Sequence, residues 1–161
     1  MGKGRACVPA RIVIAVSIVC LAVIAQPASS ETNTGRRGEL GFSVLNPGGV
    51  NLVLAKPFSD RVGLKLSGGY LGSIWGFQGN MYMTVRRGYP VRHDIALIAG
   101  AWQHDTPSHK DGQWTFGGVA YNFHYKRFFA ETSLQLGGGD CDCDGFLTFE
   151  LGFLFPAPRQ K

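Results

Sequence analysis

From residue 39 onward, apolar and polar side chains alternate with a period of two, the signature of β-strands that bury one face. In Glu39–Leu45, Leu40, Phe42 and Val44 share a face, and in Val50–Lys56, Val50, Leu52 and Leu54 lie opposite Asn51. Arg61–Tyr70 sets Val62, Leu64, Leu66 and Tyr70 against Lys65 and Ser67. Ile74–Arg86 is the clearest, with Trp75, Phe77, Met81, Met83 and Val85 alternating with Gln78, Asn80, Tyr82, Thr84 and Arg86. Asp94–Trp102 is apolar on both faces, so its sides stay unassigned. Gln113–Tyr125 puts Val119, Tyr121, Phe123 and Tyr125 against Asn122 and His124; Phe128–Leu136 puts Phe128, Ala130, Leu134 and Leu136 against Glu131, Ser133 and Gln135. In Gly145–Phe155, Phe149, Leu151, Phe153 and Phe155 form an aromatic-rich face, and Thr148, Glu150 and Gly152 form the other.

Eight such segments, most of them near the ~9–11 residues with which a tilted strand crosses a bilayer, predict an all-β fold. The predicted form is an eight-stranded antiparallel up-and-down transmembrane β-barrel. The connections fit alternation between two ends. Pro57–Asp60, Arg87–His93 and Lys126–Arg127 are short, as periplasmic turns are, whereas Gly68–Ser73, Gln103–Gly112 and Gly137–Asp144 are longer or polar. The first connection, Asn46-Pro47-Gly48-Gly49, is short and departs from the alternation.

The chain begins differently. Lys3, Arg5 and Arg11 precede the apolar run Ile12–Ala25, and Ala28-Ser29-Ser30 supplies small residues for a signal peptidase. Residues 1–30 are therefore expected to be a cleaved signal peptide, leaving a barrel domain over 31–161. Cleavage removes three of the sixteen basic residues and none of the eleven acids, so the net charge falls from +5 to +2. A nucleic-acid partner accordingly has no basis in charge. Two of four cysteines leave as well, and Cys141 and Cys143 remain in a chain exposed to an oxidising compartment.

The minority face carries Glu39, Lys65, Arg86, Glu131 and Glu150. In a barrel these would pair across the lumen, each offsetting the other's desolvation. A ring of about eight strands leaves room inside for little more than its own side chains. On a soluble sheet the same residues would face water and the aromatic face would be core.

Eight amphipathic strands behind a signal peptide, ending on Phe155, resemble the small outer-membrane β-barrel family of the OmpA and OmpX type over about Glu39–Phe155. The resemblance implies an outer-membrane location in a Gram-negative envelope, contact with membrane lipid, and a structural or surface-interaction role exercised by the outer loops. It also implies a last strand read by the barrel assembly machinery, carried here by Gly152, Phe153 and Phe155, although Pro156–Lys161 follow where most members end. A monomer without cofactor is expected.

Two places hold candidate chemistry. Asp140, Asp142 and Asp144 with Gly145 match the front of a calcium-binding loop, but Leu151 stands where the bidentate Glu belongs, which reduces the expectation to weak cation binding by an exposed loop. Cys141 and Cys143 within it are candidates for a disulfide; two thiolates alone make an incomplete zinc site. His104 and His109 with Asp105, Asp111 and Ser108 contain the elements of a hydrolytic set, which would make the protein a barrel enzyme acting on outer-leaflet lipid. A further alternative is a soluble, lipocalin-like barrel around an apolar ligand.

Overall fold

In the computed structural model the described residues are 37–106, 109–139 and 145–157, with side chains excepted at 105–106 and 109–111. The signal peptide expected at 1–30 lies outside them. Eight strands form in chain order: β1 (Glu39–Leu45), β2 (Gly49–Pro57), β3 (Val62–Leu71), β4 (Ile74–Gly88), β5 (Val91–Thr106), β6 (His109–Tyr125), β7 (Phe128–Gly139) and β8 (Gly145–Pro156). Each pairs antiparallel with the next, and β8 returns to β1 with Phe42 opposite Phe153, so the sheet is a closed barrel with no free edge.

The pleat sends successive side chains to opposite faces, and the two faces sort by polarity in the reverse of a soluble protein. Ser43, Asn51, Lys65, Gln78, Asn80, Asp94, Glu131, Gln135 and Glu150 are buried in the lumen. Leu52 and Leu54, Met81 and Met83, Ile95 and Leu97, Phe149, Leu151 and Phe153 stand exposed on the outside. Two apolar clusters share the interior with the polar groups. Trp114, Phe116, Ile98 and Ala96 pack with Trp102 and Phe146, while Val53, Ala55, Phe129 and Leu154 pack together elsewhere in the lumen.

β5 resolves the ambiguity of its sequence: Asp94, Ala96 and Ile98 point inward, and Ile95, Leu97 and Ala99 outward. Both faces are apolar because Ala96 and Ile98 pack inward into the cluster formed with Tyr82, Trp114, Phe116 and Ala120. β5 and β6 also run well beyond the expected segments, so much of Gln103–Gly112 is strand: His104 pairs with Gly112 and Thr106 with His109. Polar composition is compatible with a strand that has left the apolar zone, and alternation then carries no signal. Likewise Gly68–Leu71 belongs to β3, which joins β4 by a two-residue turn.

The short first connection folds inward at the loop end. Pro47 and Gly48 are buried, and a Cβ on Gly48 would lie 2.3 Å from the Gly69 carbonyl oxygen and 2.9 Å from the Gly76 nitrogen. Only glycines at these meeting points let the turn fold in against β3 and β4. Asn51 holds it there: its Nδ2 donates to the Asn46 carbonyl at 2.9 Å, and its Oδ1 accepts from the Gly48 amide at 3.0 Å.

Candidate functional site

Three of the five ionisable residues expected in the lumen meet near its middle. Glu131 and Glu150 are direct cross-strand partners on β7 and β8, an arrangement that repels unless a cation intervenes. Lys65 on β3 supplies it from across the barrel, with Nζ 2.8 Å from Glu131 Oε2 and 2.7 Å from Glu150 Oε2. All three are at most 3 % exposed, so water screens none of them. Neutral donors complete the set. Gln78 Nε2 donates to Glu131 Oε1 at 2.7 Å, Asn80 Nδ2 to Glu131 Oε2 at 2.6 Å, and the Ser43 hydroxyl to Glu150 Oε1 at 2.6 Å.

Each carboxylate oxygen therefore accepts at least one hydrogen bond, which is the condition for a buried ion cluster to be tolerated. The ring extends to the loop end: Gln135 Nε2 and Asn46 Nδ2 both donate to Gln78 Oε1, at 3.1 and 2.7 Å. The inward-folded turn is thus tied to the central ions. Lys65 Nζ also lies 4.5 Å from the centroid of the Phe129 ring, whose face favours a cation. Nothing in this arrangement leaves a nucleophile or base facing an open cavity. Its chemistry is that of a brace joining β1, β3, β4, β7 and β8.

A second polar cluster lies towards the turn end. Asp94 Oδ2 pairs with Arg92 Nε at 3.0 Å and with His124 Nε2 at 3.1 Å, while its Oδ1 accepts from the Thr84 hydroxyl at 2.7 Å. The Arg92 guanidinium lies 5.6 Å from the Tyr82 ring. Sequence reasoning placed His124 on the minority face but missed Asp94 and Arg92, because β5 showed no preferred side. Their acid–base spacing on one strand, Arg92 to Asp94, was the available signal.

Arg86 does not join the lumen network. The register shifts between Thr84 and Arg86, a β-bulge that adds one residue to β4 and reverses the parity beyond it. Arg86 is consequently exposed, and Arg87 takes the inward side, lining a hollow of about 120 Å³ with Glu39, Arg92 and Tyr82. Glu39 is half-buried there, at the rim.

Phe153 and Phe155 lie on the outer face, with ring centroids 5.7 and 6.3 Å from that of Phe42; Phe153 is also 5.6 Å from Phe128. Gly152 faces inward over the Phe129 ring, where a Cβ would come within 2.6 Å of it. Asp140, Asp142 and Asp144, with Cys141 and Cys143, lie outside the described residues, as does Ser108. His104 is in β5 opposite Ile74 and Gly112. Among the described residues no cluster of three His, Cys, Asp or Glu side chains is arranged to hold a metal ion.

No protein-family model and no curated protein sequence matches the chain. Among solved structures it is similar to the N-terminal β-barrel domain of Pseudomonas aeruginosa OprF, at 19% identity and a TM-score of 0.46, over 74% of this chain and 96% of that one. It is also similar to Ail, the attachment invasion locus protein of Yersinia pestis, at 16% identity and a TM-score of 0.33, over 74% and 95% of the two chains.

Proposed function

We propose that this chain is a small outer-membrane β-barrel protein with a packed lumen, acting as a structural or surface-interaction element through its loop end. One observation carries the reading: the inversion of burial. Among the described residues thirteen polar or charged side chains are buried, against twelve hydrophobic ones, while twenty-eight large hydrophobic side chains are exposed. Water does not tolerate an apolar surface that continues around the whole barrel, whereas a bilayer requires one. Closure of the sheet also satisfies the backbone groups that lipid cannot.

The packed interior argues against a conducting pore and against an apolar ligand inside. The lumen by Lys65, Asn80 and Asp94 retains only about 10 Å³, whereas a hollow of about 520 Å³ beside Leu54, Leu66, Met81 and Leu97 opens on the exterior. Gly152, Phe153 and Phe155 serve in this reading as the segment engaged during barrel assembly, and the end of the barrel at which β7 finishes and β8 starts faces the exterior of the cell.

Fractionation of cells expressing the full chain, with gel mobility compared before and after heating, tests the proposal. Recovery with the outer membrane and a heat-dependent mobility shift is expected. Recovery in the soluble periplasm without detergent overturns it.

A further inference from the structure

The outer surface is not uniformly convex. Along one cross-strand row, Leu54, Leu66, Gly79, Ala99 and Gly117 follow one another from β2 to β6. The row is bulky at one side and nearly bare at Gly79, Ala99 and Gly117. Phe77 and Met81 stand on either side of Gly79 along β4, and with Leu54, Leu66 and Ala99 they line an apolar hollow of about 520 Å³. That is the size of a small-molecule pocket, yet it opens on the face that meets lipid.

The same strands end in cations. At the turn end of β4 the bulge turns Arg86 to the outer face, where it is exposed, whereas Arg61, opposite Thr84 just ahead of β3, lines the inner mouth hollow with Arg87. At that end Arg37, Arg61, Arg86, Arg87, Lys126 and Arg127 are all exposed, against the single exposed acid Asp60 among the described residues. Seven residues separate Gly79 from Arg86. At ~3.3 Å per residue and a ~45° tilt they span a depth of about 16 Å, half of a ~30 Å hydrocarbon layer. With Arg86 at headgroup level, the hollow sits where an acyl chain from the same leaflet ends.

We infer that the groove of β2–β5 and Arg86 together form a binding site for one anionic phospholipid of the leaflet at the turn end. The phosphate lies against Arg86 and one acyl chain fills the hollow over Gly79. Lys126 and Arg127, each 5.5 Å from an aromatic centroid, give the other side of the barrel charge without a groove. The inference rests on the membrane reading above.

The test is native mass spectrometry of the full chain folded in bilayer nanodiscs of equal phosphatidylglycerol and phosphatidylcholine with identical palmitoyl chains. Insertion is first checked by heat-dependent gel mobility, so failure of the membrane reading shows there and not in the lipid count. One retained phosphatidylglycerol per barrel is expected, with Arg86→Gln lowering the preference about fivefold and Arg61→Gln, on the inner side, leaving it unchanged. Gly79→Leu should lower retention of both lipids, since a Cβ there meets only the Leu66 side chain at 3.3 Å and the Ala99 carbonyl oxygen at 3.9 Å, so the added side chain can occupy the hollow. Dihexanoyl phosphatidylglycerol, which has the headgroup but cannot reach the hollow, should be lost without any substitution. Equal retention of the two palmitoyl lipids, undiminished retention of the dihexanoyl lipid, or a barrel dimer occupying the face in place of lipid overturns the inference.

Discussion

Replacing Lys65 by Met asks the central ion cluster to survive without its cation. Methionine fills most of the volume of the lysine stem, so the change is electrostatic more than steric. It leaves Glu131 and Glu150 directly opposite each other on β7 and β8, both buried, with Gln78, Asn80 and Ser43 as their remaining donors. Removing one partner of a buried ion group costs about 3–5 kcal/mol, because the uncompensated charge stays in a low-dielectric site. The folded-to-unfolded ratio should fall by roughly two to three and a half powers of ten. The measurement is urea unfolding in lipid vesicles, read as the fraction keeping the fast-migrating unheated form. The denaturant slope should stay unchanged, because the surface exposed on unfolding is the same. The triple variant Lys65→Met, Glu131→Gln, Glu150→Gln removes the charges yet keeps hydrogen-bonding groups, and it should recover most of the loss. A single variant that loses less than about 1 kcal/mol, or a triple variant no better than the single, would refute the account of Lys65 as the group that makes the carboxylate pair tolerable.

Other substitutions separate the interior from the exterior. Phe129→Ala removes a fully buried ring that supports Lys65 and packs with Val53 and Leu154, and it should cost about 3–5 kcal/mol in the same assay. Leu97→Arg places a charge near the middle of β5 on the exposed apolar face. In vesicles it should destabilise by about 2–4 kcal/mol, whereas a neutral or stabilising result would contradict lipid contact there. Arg86→Gln in phosphatidylcholine vesicles should change stability by no more than about 0.5 kcal/mol, since the bulge keeps this residue out of the lumen network; a loss comparable to that of Lys65→Met would place it back inside.

The chain displays its barrel wherever one side of a strand meets an apolar medium and the other a polar one. β4, β7 and β8 alternate cleanly for that reason, and the same parity that picks out Leu134 and Phe153 as outward places Glu131 and Glu150 inward. The meeting of Lys65 with those two carboxylates follows from parity plus closure, since three strands separate β3 from the β7–β8 pair and only a closed ring faces them across one lumen. Three features escape such reasoning, each on physical grounds. A bulge adds a residue without any marked composition, so Arg86 keeps its alternating place in sequence while leaving the lumen in space. β5 borders Ala96 and Ile98 inside and Ile95 and Leu97 outside, so no polarity contrast betrays its faces or the inward Asp94. Beyond the apolar zone both sides of β5 and β6 meet polar surroundings, and a strand there reads like a loop. Alternation specifies a medium, and every barrel of this size needs it. What distinguishes this chain is the set of departures from the pattern. The inward-folded turn at Pro47, the bare row at Gly79 and Ala99, and the cations re-aimed by the bulge at Arg86 are each unnecessary for closing eight strands, so each is where a purpose beyond folding should be sought.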